Sequence, residues 1–207
     1  MKKENEQVQQ RVKELIKKID QAPKQTDNYL ELATVLIEQG EIDQAFELLK
    51  KATQVVANPE ELYYDLAVCH YLEGEFEEAL GLLNKLPNDD LTLYQKALTF
   101  LKLGLGAKAL AYALSIKQVD DKVNELLADC WIAVGDLKSA KSCLLKIKQA
   151  TSKVNFLLGI VTLPEDQAEG QKYFAKSKAQ DKKYYESASS QYGSLMQLLS
   201  KQEGVDD

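Results

Sequence analysis

The side chains able to do chemistry in this chain are few. His70 is the only histidine among 207 residues, and no serine or cysteine nucleophile with a third, orienting group can be assembled around it at a recognisable spacing. The segment GLGAKA from Gly104 is the nearest approach to a phosphate-cradling loop. A dinucleotide fingerprint needs a preceding strand and a third glycine in register, whereas the flanks here have helical periodicity, so the segment reads as a turn between helices. Cys69, Cys130 and Cys143 are an odd number, spaced for neither a disulfide framework nor a zinc site, and read as buried thiols. Cys130 and Cys143 fall on the two helices of one hairpin, but nothing lowers a thiol pKa there, so burial outweighs a redox pair. Glu75, Glu77 and Glu78 crowd a helix start and favour the helix dipole. No metal constellation, cofactor motif or catalytic set emerges, and the expectation is a chain that is not an enzyme.

The elements that carry these residues are more informative. Tyr63–Leu86 places Tyr63, Leu66 and Ala67 on one helical face, breaks at Gly74, and resumes from Glu75 with Ala79, Leu83 and Leu86 three or four apart. That pattern is a helical hairpin whose two alanines permit close approach. The hairpin recurs. The turn glycines Gly40, Gly74, Gly104 and Gly135 are 34, 30 and 31 residues apart. Seven residues before each stands Ala33, Ala67, Ala97 or Ala128, and five after each stands Ala45, Ala79, Ala109 or Ala140. Larger residues, Leu36, His70, Phe100 and Trp131, lie four before, and Leu49, Leu83, Ala113 and Leu144 lie nine after. In this register His70 is an inter-helix packing residue.

Composition agrees with a helical, intracellular protein. Hydrophobic residues make up 45% and charged residues 28% of the chain, with only four prolines, which predicts a folded, all-α domain. A net charge of −6 argues against a nucleic-acid binder, which needs a clustered basic surface. The charge is uneven: residues 1–24 carry seven basic and four acidic groups, residues 171–207 six and five, and the rest holds about −10. The segment MKKENEQVQQRVKEL is charged where a signal peptide is apolar, and no run approaches the length of a membrane span. The expected location is cytoplasmic, without membrane insertion.

On Tyr29, Leu32, Ala33, Leu36, Gly40, Ala45, Leu49 and Ala52, and again on Tyr63, Leu66, Ala67, Gly74, Ala79, Leu83 and Pro87, the chain resembles the tetratricopeptide repeat (TPR) family. Lys96 replaces an expected leucine in the third unit, and Asn124 takes the aromatic position of the fourth. The resemblance implies a right-handed superhelical solenoid of antiparallel helix hairpins. Its expected organisation is a capping helix over 1–24, four repeats over 25–150, a degenerate fifth over 151–180 built on Phe156, Leu158, Gly159, Gly170 and Phe174, a second capping helix over 181–200 and a disordered tail over 201–207. The first cap presents Val8, Val12, Leu15, Ile16 and Ile19; the last presents Tyr185, Ala188, Tyr192, Met196 and Leu199. End caps cover the apolar faces that a terminal repeat leaves open.

The resemblance also implies a concave face lined by first helices. Positions ten, six and three before each glycine point there: Leu30, Thr34 and Ile37; Tyr64, Val68 and Tyr71; Tyr94, Leu98 and Leu101; Glu125, Asp129 and Ile132. The candidate peptide-binding residues are therefore Leu30, Ile37, Tyr64, Val68, Tyr71, Tyr94, Leu98 and Leu101, an aliphatic and tyrosyl stripe with carboxylates at one end. Chaperone-binding members of the family clamp a terminal carboxylate with lysine, asparagine and arginine, where this chain has Leu30, Thr34, Asp65, Leu91 and Gln95. The expected partner is another protein, offering an apolar or mildly basic peptide or helix to an adaptor or chaperone-like module. The alternative is a structural or self-associating scaffold subunit, a homo-oligomer whose groove is filled by its own terminal helix.

Overall fold

The computed structural model describes residues 2–202, with side chains over residues 6–193. All regular structure among the described residues is helical. The chain forms two compact units, residues 1–115 and 116–207. In the first, α1 (Lys2–Gln21) is followed by three hairpins: α2 (Thr26–Glu38) with α3 (Ile42–Ala52), α4 (Tyr63–Glu73) with α5 (Phe76–Leu83), and α6 (Asp90–Lys102) with α7 (Gly106–Leu114). The second contains α8 (Asp121–Ala133) with α9 (Leu137–Leu144), α10 (Ser152–Thr162) with α11 (Gln167–Gln180), and α12 (Lys182–Gln202).

The turns explain the repeated glycine. Gly40, Gly74, Gly104 and Gly135 all adopt positive φ, from 71° to 83°, a region costly for residues with a Cβ. At Gly74 the backbone closes as a Schellman motif, with Glu75 N donating to His70 O at 2.8 Å and Gly74 N to Tyr71 O at 3.2 Å. The same paired bonds recur at the other three glycines. No neighbouring atom lies within 4 Å of the place a Cβ would occupy at any of the four, so backbone conformation, and not space, selects glycine.

The repeated alanines are the contacts between paired helices. Ala33, Ala45, Ala67, Ala79, Ala97, Ala109, Ala128 and Ala140 are all 0% exposed, as close helix approach requires. Leu49 and Leu83, also fully covered, fill the space beside them. N-caps set several helix starts: Asp89 Oδ1 accepts from Thr92 N, Asp120 Oδ1 from Val123 N and Asp136 Oδ1 from Ser139 N.

The departures from the repeat pattern have local solutions. Lys96 is buried, donates to Asn88 Oδ1 at 2.8 Å and sits over the Tyr112 ring, so its stem replaces leucine while its ammonium is satisfied; burial lowers its pKa. Tyr29 donates its hydroxyl to Pro23 O; at the same place in the second unit, Asn124 and Asn155 donate to the carbonyls of Asp120 and Thr151.

The α10/α11 hairpin keeps the register with different residues. Gly159 is the eighth residue of α10, as Ala33 is of α2, and Phe174 is the eighth of α11, as Leu49 is of α3. A Cβ on Gly159 would lie 2.5 Å from the Phe174 ring. The small residue has become smaller because its partner has become larger.

The end helices pack on the stacks. Leu15 of α1 joins Leu32 and Val35 of α2, with Val8, Val12 and Ile19 around them. Ile16 does not share that face and is 46% exposed. Tyr184 and Tyr185 of α12 pack edge-on against Phe156. Met196 and Leu199 lie outside the residues whose side chains are described, and the tail beyond residue 202 lies outside the described residues.

Candidate functional site

The apolar stripe belongs wholly to the first unit. Helix α2 carries Leu30 and Ile37, α4 carries Tyr64, Val68 and Tyr71, and α6 carries Tyr94, Leu98 and Leu101. All eight are half-buried, neither sealed in the core nor fully solvated. Their inner edges rest on the repeat core: Leu30 and Ile37 on the cluster around Ala33, Ala45 and Leu49, and Tyr64 and Tyr71 on Ala67, Ala79 and Leu83. Tyr71 also meets the Phe76 ring at 5.8 Å between centroids. Thr34 is exposed and returns its hydroxyl to Leu30 O at 2.9 Å.

Polar groups accompany the stripe. Burial pushes the Tyr64 phenol up to about 12, with Asp65, Tyr94 and Asp89 adding to the shift. Asp65 is half-buried, and desolvation raises its pKa. Gln95 is 5% exposed, and its Nε2 has no hydrogen-bond partner. The repeat pattern cast Asp65 and Gln95 only as residues that cannot clamp a carboxylate. Their own signal in the sequence is that both lie nine residues before a turn glycine, on neighbouring first helices.

The carboxylates expected to continue the stripe are in the second unit and are engaged. Lys153 of α10 bridges Glu125 Oε1 at 2.8 Å and Asp129 Oδ2 at 2.9 Å. Burial works against the Lys153 ammonium, but Asp129 and Glu125 outweigh it, and the net shift is upward. Sequence reasoning missed this lysine, whose placement one hairpin after the two acids was the available clue.

The remaining candidates for chemistry serve packing. His70 Nδ1 pairs with Glu75 Oε2 at 2.6 Å, and its ring stands edge-on to Phe46. All three cysteines are buried and free. Burial pushes the Cys69 thiol up to about 11, helped by Asp65 and Glu73, and the Cys130 thiol up to about 12, helped by Asp129. Cys143 is also raised, by burial. Such thiols are poor nucleophiles at neutral pH. Among the described residues no three metal-ligating side chains converge, and no helix is long and apolar enough to cross a membrane.

Residues 36–101 match the family model of the tetratricopeptide repeat, the segment holding the Gly40 and Gly74 turns and most of the stripe. That segment is a tetratricopeptide repeat segment, and the chain around it has the TPR fold. Among solved structures, the chain is similar to one in the Cut9–Hcn1 hetero-tetramer of the APC/C (TM-score 0.76, 14% identity), covering 86% of its own length but 38% of that longer chain. It is similar to PilF of Pseudomonas aeruginosa at TM-score 0.71 and 17% identity, over 91% of each chain. A third, YrrB, described as a TPR protein with an unusual peptide-binding site, aligns at TM-score 0.58 and 16% identity over 82% of this chain and 93% of that one. At these identities the likeness is one of fold. Comparison with curated proteins gives no match. The TPR fold supports a protein–protein interaction module in the general sense.

Proposed function

We propose that the first unit of this chain binds an apolar or mildly basic segment of another protein against α2, α4 and α6, as a non-catalytic adaptor or chaperone-like module. The observation that carries this reading is the shared half-burial of Leu30, Ile37, Tyr64, Val68, Tyr71, Tyr94, Leu98 and Leu101. Eight apolar or tyrosyl side chains held by the core yet open to solvent make a patch of the kind that marks partner sites. Tyrosine adds large contact area, with only two torsions to fix and a hydrogen-bonding tip.

The seating of α1 on Leu32 and Val35 favours an open face over one filled by that helix. YrrB, a TPR protein with an unusual peptide-binding site, gives a fold-level precedent. The test is selection of random peptides on the immobilised protein. Apolar sequences enriched on the wild type should be lost on a Tyr64→Ala/Tyr71→Ala/Tyr94→Ala variant of unchanged helicity. Enrichment that survives those three substitutions would place binding elsewhere.

A further inference from the structure

We propose that Asp65 is a specificity residue of this face, selecting a partner segment in which a lysine or arginine side chain stands beside the apolar residues. The inference rests on the binding reading above and adds a charge requirement to it. Asp65 is half-buried on α4, next to Tyr64, and makes no hydrogen bond or ion pair with any described residue. A carboxylate partly withdrawn from water without a partner is disfavoured, and no cation pairs with it among the described residues. Helices α2, α4 and α6 carry Asp27, Glu31, Glu38, Asp65, Glu73 and Asp90 against Lys96 and Lys102. Of those two lysines, Lys96 is committed to Asn88 and the Tyr112 ring. The second unit shows the contrast: its first-helix carboxylates, Glu125 and Asp129, receive Lys153 from the next hairpin.

Gln95 is 5% exposed, with an unpartnered Nε2, and holds on α6 the register that Asp65 holds on α4. Buried amide donors are normally satisfied, and this one is covered within the chain itself. On the same two helices Tyr64, Val68, Tyr94 and Leu98 are the half-buried residues of the stripe. A cation for Asp65 and aliphatic or aromatic side chains for the stripe describe a peptide. A metal ion would need further ligands, and none converge among the described residues.

The test is selection of random dodecapeptides by the full chain, wild type against Asp65→Asn and Asp65→Lys. The wild type should enrich Lys or Arg at one fixed spacing from apolar residues. Asp65→Asn should keep the apolar pattern and lose the basic position, and Asp65→Lys should replace that position with Asp or Glu. The best synthetic wild-type-selected peptide should bind Asp65→Asn about tenfold or more weakly. Changing its basic residue to alanine should cost the same factor on wild type and little further on Asp65→Asn. Thermal melting of Asp65→Asn at or above the wild-type temperature separates lost recognition from lost fold. Apolar peptides enriched without a basic position, or equal binding by wild type and Asp65→Asn, overturn this inference and leave the apolar face standing. Failure of the wild type to select, or selection untouched by the three tyrosine substitutions, overturns both.

Discussion

At the scale of single residues, Asp65 and Lys153 show how differently two charges on first helices can be treated. Lys153 sits between Glu125 and Asp129, so each carboxylate has a cation within ion-pair distance. Asp65 is desolvated without such help, and its carboxyl titrates above the ordinary carboxylate value. The folded chain therefore holds that proton more tightly than the unfolded chain, and the unfolded state binds fewer protons through the window between the two values. Stability from this group falls as pH rises through that window, and the full cost is present above it. Asp65→Asn should thus be more stable than wild type at pH 7, with the gap narrowing as pH falls through that window and closed below about 4. Denaturant titrations at several pH values check this; a variant that is less stable than wild type at neutral pH would show that the carboxylate has a structural partner.

At the scale of helices and hairpins, one design is used repeatedly with altered parts. The turn glycines and close-contact alanines were legible because they repeat at fixed offsets, and all eight alanines are fully buried. The α10/α11 hairpin was harder to read because compensation hides the pattern: Gly159 replaces alanine where Phe174 replaces leucine. Two effects oppose each other in Gly159→Ala. Helix propensity favours alanine by up to about 1 kcal/mol, whereas overpacking costs about 1–3 kcal/mol. Phe174 is held against Phe156 and Tyr185, so its ring cannot step aside cheaply and overpacking wins. Gly159→Ala should destabilise the protein by about 1–2 kcal/mol, and adding Phe174→Leu should recover most of the loss. Chemical unfolding of the two single variants and the double variant measures the coupling; strict additivity would contradict the paired exchange of volume.

At the scale of the whole molecule, stability in stacked hairpins is a sum over neighbours. A lesion at Gly159 should then lower amide exchange protection in α10, α11 and α12 while leaving α3, α4 and α5 near wild type. Protection lost uniformly over both units would instead mean that the chain opens as one cooperative body. The candidate face makes the complementary case. Its eight residues fall within residues 1–115, whereas the repeat pattern had run the stripe onward into Glu125, Asp129 and Ile132.

The sequence by itself determined the helical hairpins, their turns and the residues that seal them, because each depends on neighbours a fixed number of residues away. It also determined which side of each first helix carries tyrosines and aliphatics. Only the tertiary structure decided which polar groups along those helices are satisfied. Lys153 reaches back 24 and 28 residues to Asp129 and Glu125, Lys96 finds Asn88, and Asp65 finds no described partner. Helix periodicity fixes the direction in which a side chain leaves its helix, but charge compensation depends on what another helix brings to meet it.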